Sequence, residues 1–259
     1  MQLFDTHCHL DFAAFGKDFA NQWQQANQAG IERVLLPAIG AENWGRIEQL
    51  SQRFSGVYYA LGCHPYFLNG QPGGALNQLV DTLDARSERC VAIGECGLDV
   101  AIDVDSKLQE RFFVQQIELA QSYQLPLIIH SRKADNRILQ LLKQAQYTQG
   151  GVWHGFSGSE QQAHNFIERG FYLGIGGVIT YERAKKTRQA VTSLPIERLV
   201  LETDAPDMPL SGFQGQPNHP KRLPLVLETL AQLRGLPEKQ MAAETWANSS
   251  RLFGLNTHE

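Results

Sequence analysis

Two histidines flank one cysteine in the N-terminal stretch "LFDTHCHLDF", at His7 and His9. In an extended chain, residues two apart share a face, so His7 and His9 project together while Cys8 points away. Two imidazoles on one side make a pincer for a divalent cation. Further along, His64 in "LGCHP", Glu95 in "GECGLD", His130 in "LIIHSR", His154 in "VWHGF" and Asp204 in "ETDAP" each stand at the end of a short apolar run. Imidazole mixed with carboxylate suits Zn²⁺, Mn²⁺ or Fe, whereas an all-oxygen cage suits Mg²⁺ or Ca²⁺. Setting His64 aside, four imidazoles and two carboxylates are too many for one tetrahedral ion and enough for two if one carboxylate bridges. Glu95, with two oxygens, is the natural bridge. Paired ions roughly 3.5–4 Å apart serve displacement at phosphorus and the hydrolysis of amides and esters.

Such residues need a scaffold that brings strand ends together. Eight apolar runs read as strands: "QLFDTH", "RVLLPAI", "VYYALGCHP", "CVAIGECGLD", "LPLIIHS", "GVWHGFSG", "FYLGIGG" and "RLVLETDAP". Between them lie segments of helical character, such as 18–29, 75–87, 107–123, 133–146 and 159–169. Strand alternating with helix implies right-handed βαβ units and a parallel sheet. Eight such units predict an α/β fold, a single (β/α)₈ TIM barrel over 1–259, with the chemistry at the C-terminal ends of the strands. An open doubly wound sheet is the alternative, but no G-x-G-x-x-G opens a helix after the first strand. A loop rich in Pro and Gly, "APDMPLSGFQGQPNHPKRLP", separates the eighth strand from closing helices over 223–255.

The net charge of −4 argues against a protein that coats nucleic acid, which needs many cationic contacts to phosphates. It leaves room for a nuclease whose ions meet the phosphate. Four cysteines without a C-x-x-C pair do not read as a disulfide framework. With neither a membrane-length apolar run nor a secretory leader in view, the expected setting is the cytoplasm. No membrane association and no obligate protein partner are expected.

The quoted motifs, together with "HGFSGS" and "LETDAPDMP", resemble in order those of the TatD family of metal-dependent hydrolases. The stretch "ETDAPDMPLSGFQGQPN" further resembles the YjjV-like branch of that family. The resemblance runs to "NSSRLFGL" and so covers essentially the whole chain. It implies a TIM barrel of the amidohydrolase superfamily, one or two divalent ions (Zn²⁺, Mn²⁺ or Mg²⁺), and deoxyribonuclease activity as in several members. By motif, His7, His9, Glu95 and Asp204 resemble the ligands of a first ion, and Glu95, His130 and His154 those of a second. His64 matches a histidine near the scissile group that is usually not a ligand. Cys96 and Val100 depart from the residues common in the "GECGLD" motif and after it.

Individual residues carry further expectations. Asp204 combines ligation with acceptance of a proton from the attacking water. Asp99 orients a ligand from behind. Arg132 and Lys133 are placed to meet a phosphate. The basic stretch "YERAKKTRQ" is either a phosphate-backbone contact or the solvated face of a helix, with the latter as default. The cysteines read as buried hydrophobes. Trp153 reads as core and Phe156 as a candidate to stack a base. His164 and His258 read as solvent residues, and His219 lies in a loop from which a substrate is within conceivable reach. The leading expectation is a phosphodiesterase acting on DNA ends with 3'-5' exonuclease-like polarity. The alternative keeps the ions and changes the bond, to an amide or an ester, including an ester on RNA such as aminoacyl-tRNA. A metal-binding scaffold with little catalysis is the third.

Overall fold

The computed structural model describes residues 1–16 and 18–256. In chain order it contains β1 (Leu3–Asp5), α1 (Phe19–Gln28), β2 (Ile31–Pro37), α2 (Trp44–Arg53), β3 (Val57–Leu61), α3 (Ala75–Asp84), β4 (Cys90–Asp99), α4 (Ser106–Tyr123) and β5 (Leu127–Arg132). There follow α5 (Asp135–Gln144), β6 (Gly151–Trp153), α6 (Glu160–Ile167), β7 (Phe171–Ile175), α7 (Lys185–Ser193), β8 (Leu199–Leu201), α8 (Leu223–Arg234) and α9 (Glu238–Leu252). The strands form one sheet in the order β1 to β8. The Thr6 N–H donates to the Leu201 carbonyl at 3.0 Å, which joins the first strand to the last. This is the (β/α)₈ barrel class.

Helix starts follow local chemistry. The Asp105 carboxylate accepts from Leu108 N at 2.8 Å, and Ser159 with Gln162 forms a capping box at α6. Gly235, in the left-handed region, ends α8.

The chain divides into two compact units. One comprises Met1–Leu36, His154–Glu168 and Tyr172–Glu259; the other comprises Pro37–Trp153 and Arg169–Phe171. In the second unit β4 is buried at all ten positions, as expected of a strand covered on both faces. Glu95 was expected at the end of this strand, but β4 runs on to Asp99. Gly97 explains how: its φ of +138° and a Cβ that would overlap the His130 carbonyl both require glycine, so β4 lies tight against β5. In the first unit, Asp5 fastens β1 to β8. Its carboxylate accepts from Thr203 N at 2.9 Å and from Thr203 Oγ1 at 2.6 Å.

Candidate metal-binding groups

In the first unit the chain bends at Thr6 and His7 beyond β1 and pairs again at Cys8, beside Ala205. Cys8 N donates to Leu35 O at 3.1 Å and His9 N to Ala205 O at 2.7 Å. Cys8 is fully buried, and the His7 and His9 rings meet edge to face at 5.2 Å. Asp204 adopts φ +54°, a conformation aspartate tolerates, and its N–H donates to His7 O at 2.8 Å. This brings Asp204 Oδ1 to 3.4 Å from His7 Nε2. The His154 ring stacks on His7 with centroids 4.0 Å apart, and its Nδ1 lies 4.0 Å from Glu202 Oε1.

Glu202 is buried and was not singled out from the sequence. One signal for it was present, since Glu202 and Asp204 stand two apart just as His7 and His9 do. Its Oε1 accepts from Gly155 N at 2.5 Å, and its Oε2 packs where a Cβ on residue 174 would sit, a space left by Gly174. Burial pushes its pKa to about 8, with His154 opposing and Asp204 and Asp5 reinforcing. Burial likewise pushes Asp5 to about 7, against its bonds from Thr203 and His7 and with some help from Asp204.

These residues fit a divalent ion. His7, His154 and Glu202 each offer an atom within 4.8 Å of the others. Two donors about 2.1 Å from one tetrahedral ion lie about 3.4 Å apart, the spacing seen between His7 Nε2 and Asp204 Oδ1. The three carboxyls Asp5, Glu202 and Asp204 repel one another, and a cation relieves that repulsion.

The second unit holds another group. Glu95 Oε1 lies 3.0 Å from His64 Nε2 and 3.1 Å from His130 Nδ1. His64 Nδ1 accepts from Tyr66 N at 3.0 Å, which fixes the ring proton on Nε2, facing Glu95. His130 Nε2 faces Asp99 Oδ2 at 3.2 Å, so Asp99 steadies the imidazole from the far side, as a carboxylate does behind a ligating histidine. Burial acts to raise the Asp99 carboxyl, but the His130 hydrogen bond, a bond from Ala101 N and the charges of His130 and Arg132 bring it below its ordinary value. His64, Glu95 and His130 again each offer an atom within 4.8 Å of the others. The family resemblance assigned this group Glu95, His130 and His154; here Glu95 and His130 stand with His64, and His154 stands with His7 and Glu202 in the first unit.

Other expectations sort clearly. Arg132 and Lys133 are exposed at the end of β5. Trp153 is buried, and so is Phe156, at 1% exposure; that overturns the idea that Phe156 stacks a base. All four cysteines are free and buried. Burial pushes Cys63 and Cys90 up to about 12, and Cys8 and Cys96 well above the usual thiol. Cys96 Sγ faces the Ile128 carbonyl at 3.6 Å, so it forms no pocket wall, whereas Val100 is 68% exposed. His164 is only half-buried on α6, beside Glu160 at 3.7 Å. His219 is buried, with Nε2 donating to Gln22 Oε1 at 3.0 Å and Nδ1 accepting from Lys221 N at 3.0 Å, and so is committed to fastening its loop to α1. His258 lies outside the described residues.

Eight strands in chain order carrying mixed His–carboxylate groups define a hydrolase barrel of the metal-dependent kind. The model of the TatD related DNase family matches residues 4–254, and the chain belongs to this family of metal-dependent hydrolases. It is 43% identical over 252 residues to the metal-dependent hydrolase YjjV of Escherichia coli strain K12, covering 97% of both chains. It is 32% identical over 264 residues to the 3'-5' ssDNA/RNA exonuclease TatD of Klebsiella pneumoniae strain 342, covering 99% of both. Its fold superposes on the crystal structure of Escherichia coli YjjV with a TM-score of 0.93, at 42% identity and 98% coverage of each chain. Among the described residues no helix is long and apolar enough to cross a membrane.

Proposed function

We propose that this metal-dependent hydrolase is a phosphodiesterase that shortens DNA ends, with the 3'-5' polarity named for its TatD relative. The observation that carries the reading is the presence of mixed His–carboxylate groups in each unit, His7–His154–Glu202 in one and His64–Glu95–His130 in the other. His7, His9, His154 and Asp204 are the candidate ligands in the first unit, and Glu95 with His130 in the second. A divalent cation there supplies Lewis acidity, offsetting charge on phosphoryl oxygens and making water acidic enough to react near neutral pH.

The chain's own residues supply the rest. Asp204, partly open to solvent, accepts the proton of the attacking water. His64, whose proton is held on Nε2 by the Tyr66 N–H, points it at Glu95 Oε1 at 3.0 Å, and a phosphoryl or leaving-group oxygen takes that donor only in exchange for the Glu95 contact. Asp99 keeps the His130 ring fixed. Exposed Arg132 and Lys133 offer phosphate contacts. The four buried thiols support a reducing, cytoplasmic setting.

The test is the chelator-treated protein reloaded separately with Mg²⁺, Mn²⁺ and Zn²⁺, given end-labelled single- and double-stranded DNA, with Glu95→Ala alongside. Stepwise shortening that needs metal and is lost in the variant is the expected result. Turnover of p-nitrophenyl esters or amides with intact DNA overturns the nuclease reading in favour of an ester or amide substrate.

A further inference from the structure

The basic segment after β7 carries Arg183, Lys185, Lys186 and Arg188, and the fold gives them different work. Lys186 Nζ donates to Gln162 Oε1 at 3.0 Å, and Arg188 donates to the Ile179 carbonyl at 2.5 Å. Both cations serve the scaffold. Arg183 instead holds its guanidinium carbon 4.9 Å from the centroid of the Tyr181 ring. With Tyr181, Val178, Ala184, Met208 and Pro209 it lines a cavity of about 260 Å³.

The walls of this cavity are fastened to the strand end that carries Asp204. The Tyr181 hydroxyl donates to Pro209 O at 2.6 Å, so the ring beneath Arg183 is fixed. The fully buried Asn218 amide donates to Met208 O at 3.2 Å and to Thr203 O at 2.9 Å. One side chain therefore ties the cavity wall to the residue immediately before Asp204. A Cβ on Gly177 would come within 2.6 Å of Met208 O, so the two segments pack without slack.

We propose that this cavity is a nucleotide subsite for a single-stranded nucleic acid. Arg183 takes a backbone phosphate, and Met208, Pro209 and Val178 receive the attached base or sugar. The inference rests on the phosphodiesterase reading above. A guanidinium presents a planar fork that matches phosphate oxygens, and stacking on Tyr181 restrains it before substrate arrives. The apolar remainder suits the flat face of a base, which also stacks on guanidinium planes. The cavity is smaller than the roughly 300–1,000 Å³ that encloses a drug-sized ligand, so it takes one unit of a chain rather than a whole molecule.

The experiment compares the wild type with R183Q and R183K, each first checked by thermal melting. Binding of a labelled, cleavage-resistant phosphorothioate oligothymidylate is followed by anisotropy across a salt series. R183Q is expected to bind roughly tenfold more weakly, with the slope of log K against log salt shallower by about 0.7, the value of one lost single-strand phosphate contact. R183K restores the slope but only part of the affinity. Turnover of bis-p-nitrophenyl phosphate, which has no chain to fill the cavity, stays at the wild-type rate in all three. Unchanged affinity and slope in R183Q overturn the subsite alone, as does a parallel loss of bis-p-nitrophenyl phosphate turnover. A wild type that turns over small esters but binds no oligonucleotide at low salt overturns the nuclease reading, and the subsite with it.

Discussion

Glu95→Ala removes the one oxygen that lies 3.0 Å from His64 Nε2 and 3.1 Å from His130 Nδ1. Its effect on metal-linked stability can be worked through. A ligand that binds only the folded chain at a thousandfold excess over Kd stabilises it by about 4.1 kcal/mol. A melting entropy of roughly 2.1 cal/mol/K per residue gives about 0.54 kcal/mol/K for 259 residues. Saturating metal at one site therefore raises Tm by about 8 °C. Loss of a carboxylate ligand weakens the site by about a hundredfold, the upper end of the cost seen for residues that merely support a ligand. At the same metal concentration the stabilisation then falls to about 1.4 kcal/mol and the shift to under about 3 °C. Scanning calorimetry of chelator-treated protein titrated with Mn²⁺ reads both values, with exposed Glu88→Ala as the control. A full wild-type shift in Glu95→Ala would refute the assignment of Glu95 as a ligand.

Gly174→Ala puts a methyl group into the buried Glu202 carboxylate; urea unfolding should show a loss of about 1–3 kcal/mol, and activity should fall as Glu202 moves against His154. Asn218→Asp replaces a donor to two carbonyls with an acceptor, and should cost about 2–3 kcal/mol in the same assay, with the oligonucleotide affinity falling as the Met208 wall loosens. His219 gives a pH signature. Burial, then Lys221 and Arg222, lower its pKa to about 4, whereas the unfolded residue titrates near 6.5. The unfolded chain binds the extra proton between these values, so the contribution is complete above pH ~6.5 and is lost as pH falls to ~4, up to about 3 kcal/mol. Denaturation across that window should give a flatter pH dependence for His219→Gln than for the wild type, and equal slopes would refute the burial argument.

The strands were legible because each is a short apolar run, six of the eight carrying a histidine or carboxylate near the end, and all eight formed. Helix α2 was harder to see, because only Trp44, Ile47 and Ser51 of its ten residues are buried and the apolar stripe is thin. The His7–His9 pair followed from alternation alone. His64 against Glu95 did not, because that contact depends on the register between β3 and β4, which shifts between Tyr59 and Ala60. Glu202 escaped notice although the same two-residue spacing pointed to it. The cavity beside Arg183 joins segments about 25 positions apart, a closeness created by the packing of Gly177 against Met208 and the Tyr181 bond to Pro209 O.

The bond between Asp5 and Thr203 spans 198 positions, and this sets the order in which the molecule comes into being. During synthesis, β1 and the two histidines just beyond it are made long before β8 and stay without that partner until it emerges. The unit built mostly from the continuous stretch Pro37–Trp153 can consolidate in that interval. The other unit closes late, when Thr203 arrives to receive a carboxylate that has been waiting since the fifth residue. A chain released before that point lacks both Thr203 donors to Asp5 and keeps only the local His7 N–H, at 3.4 Å, to offset the burial of that carboxylate.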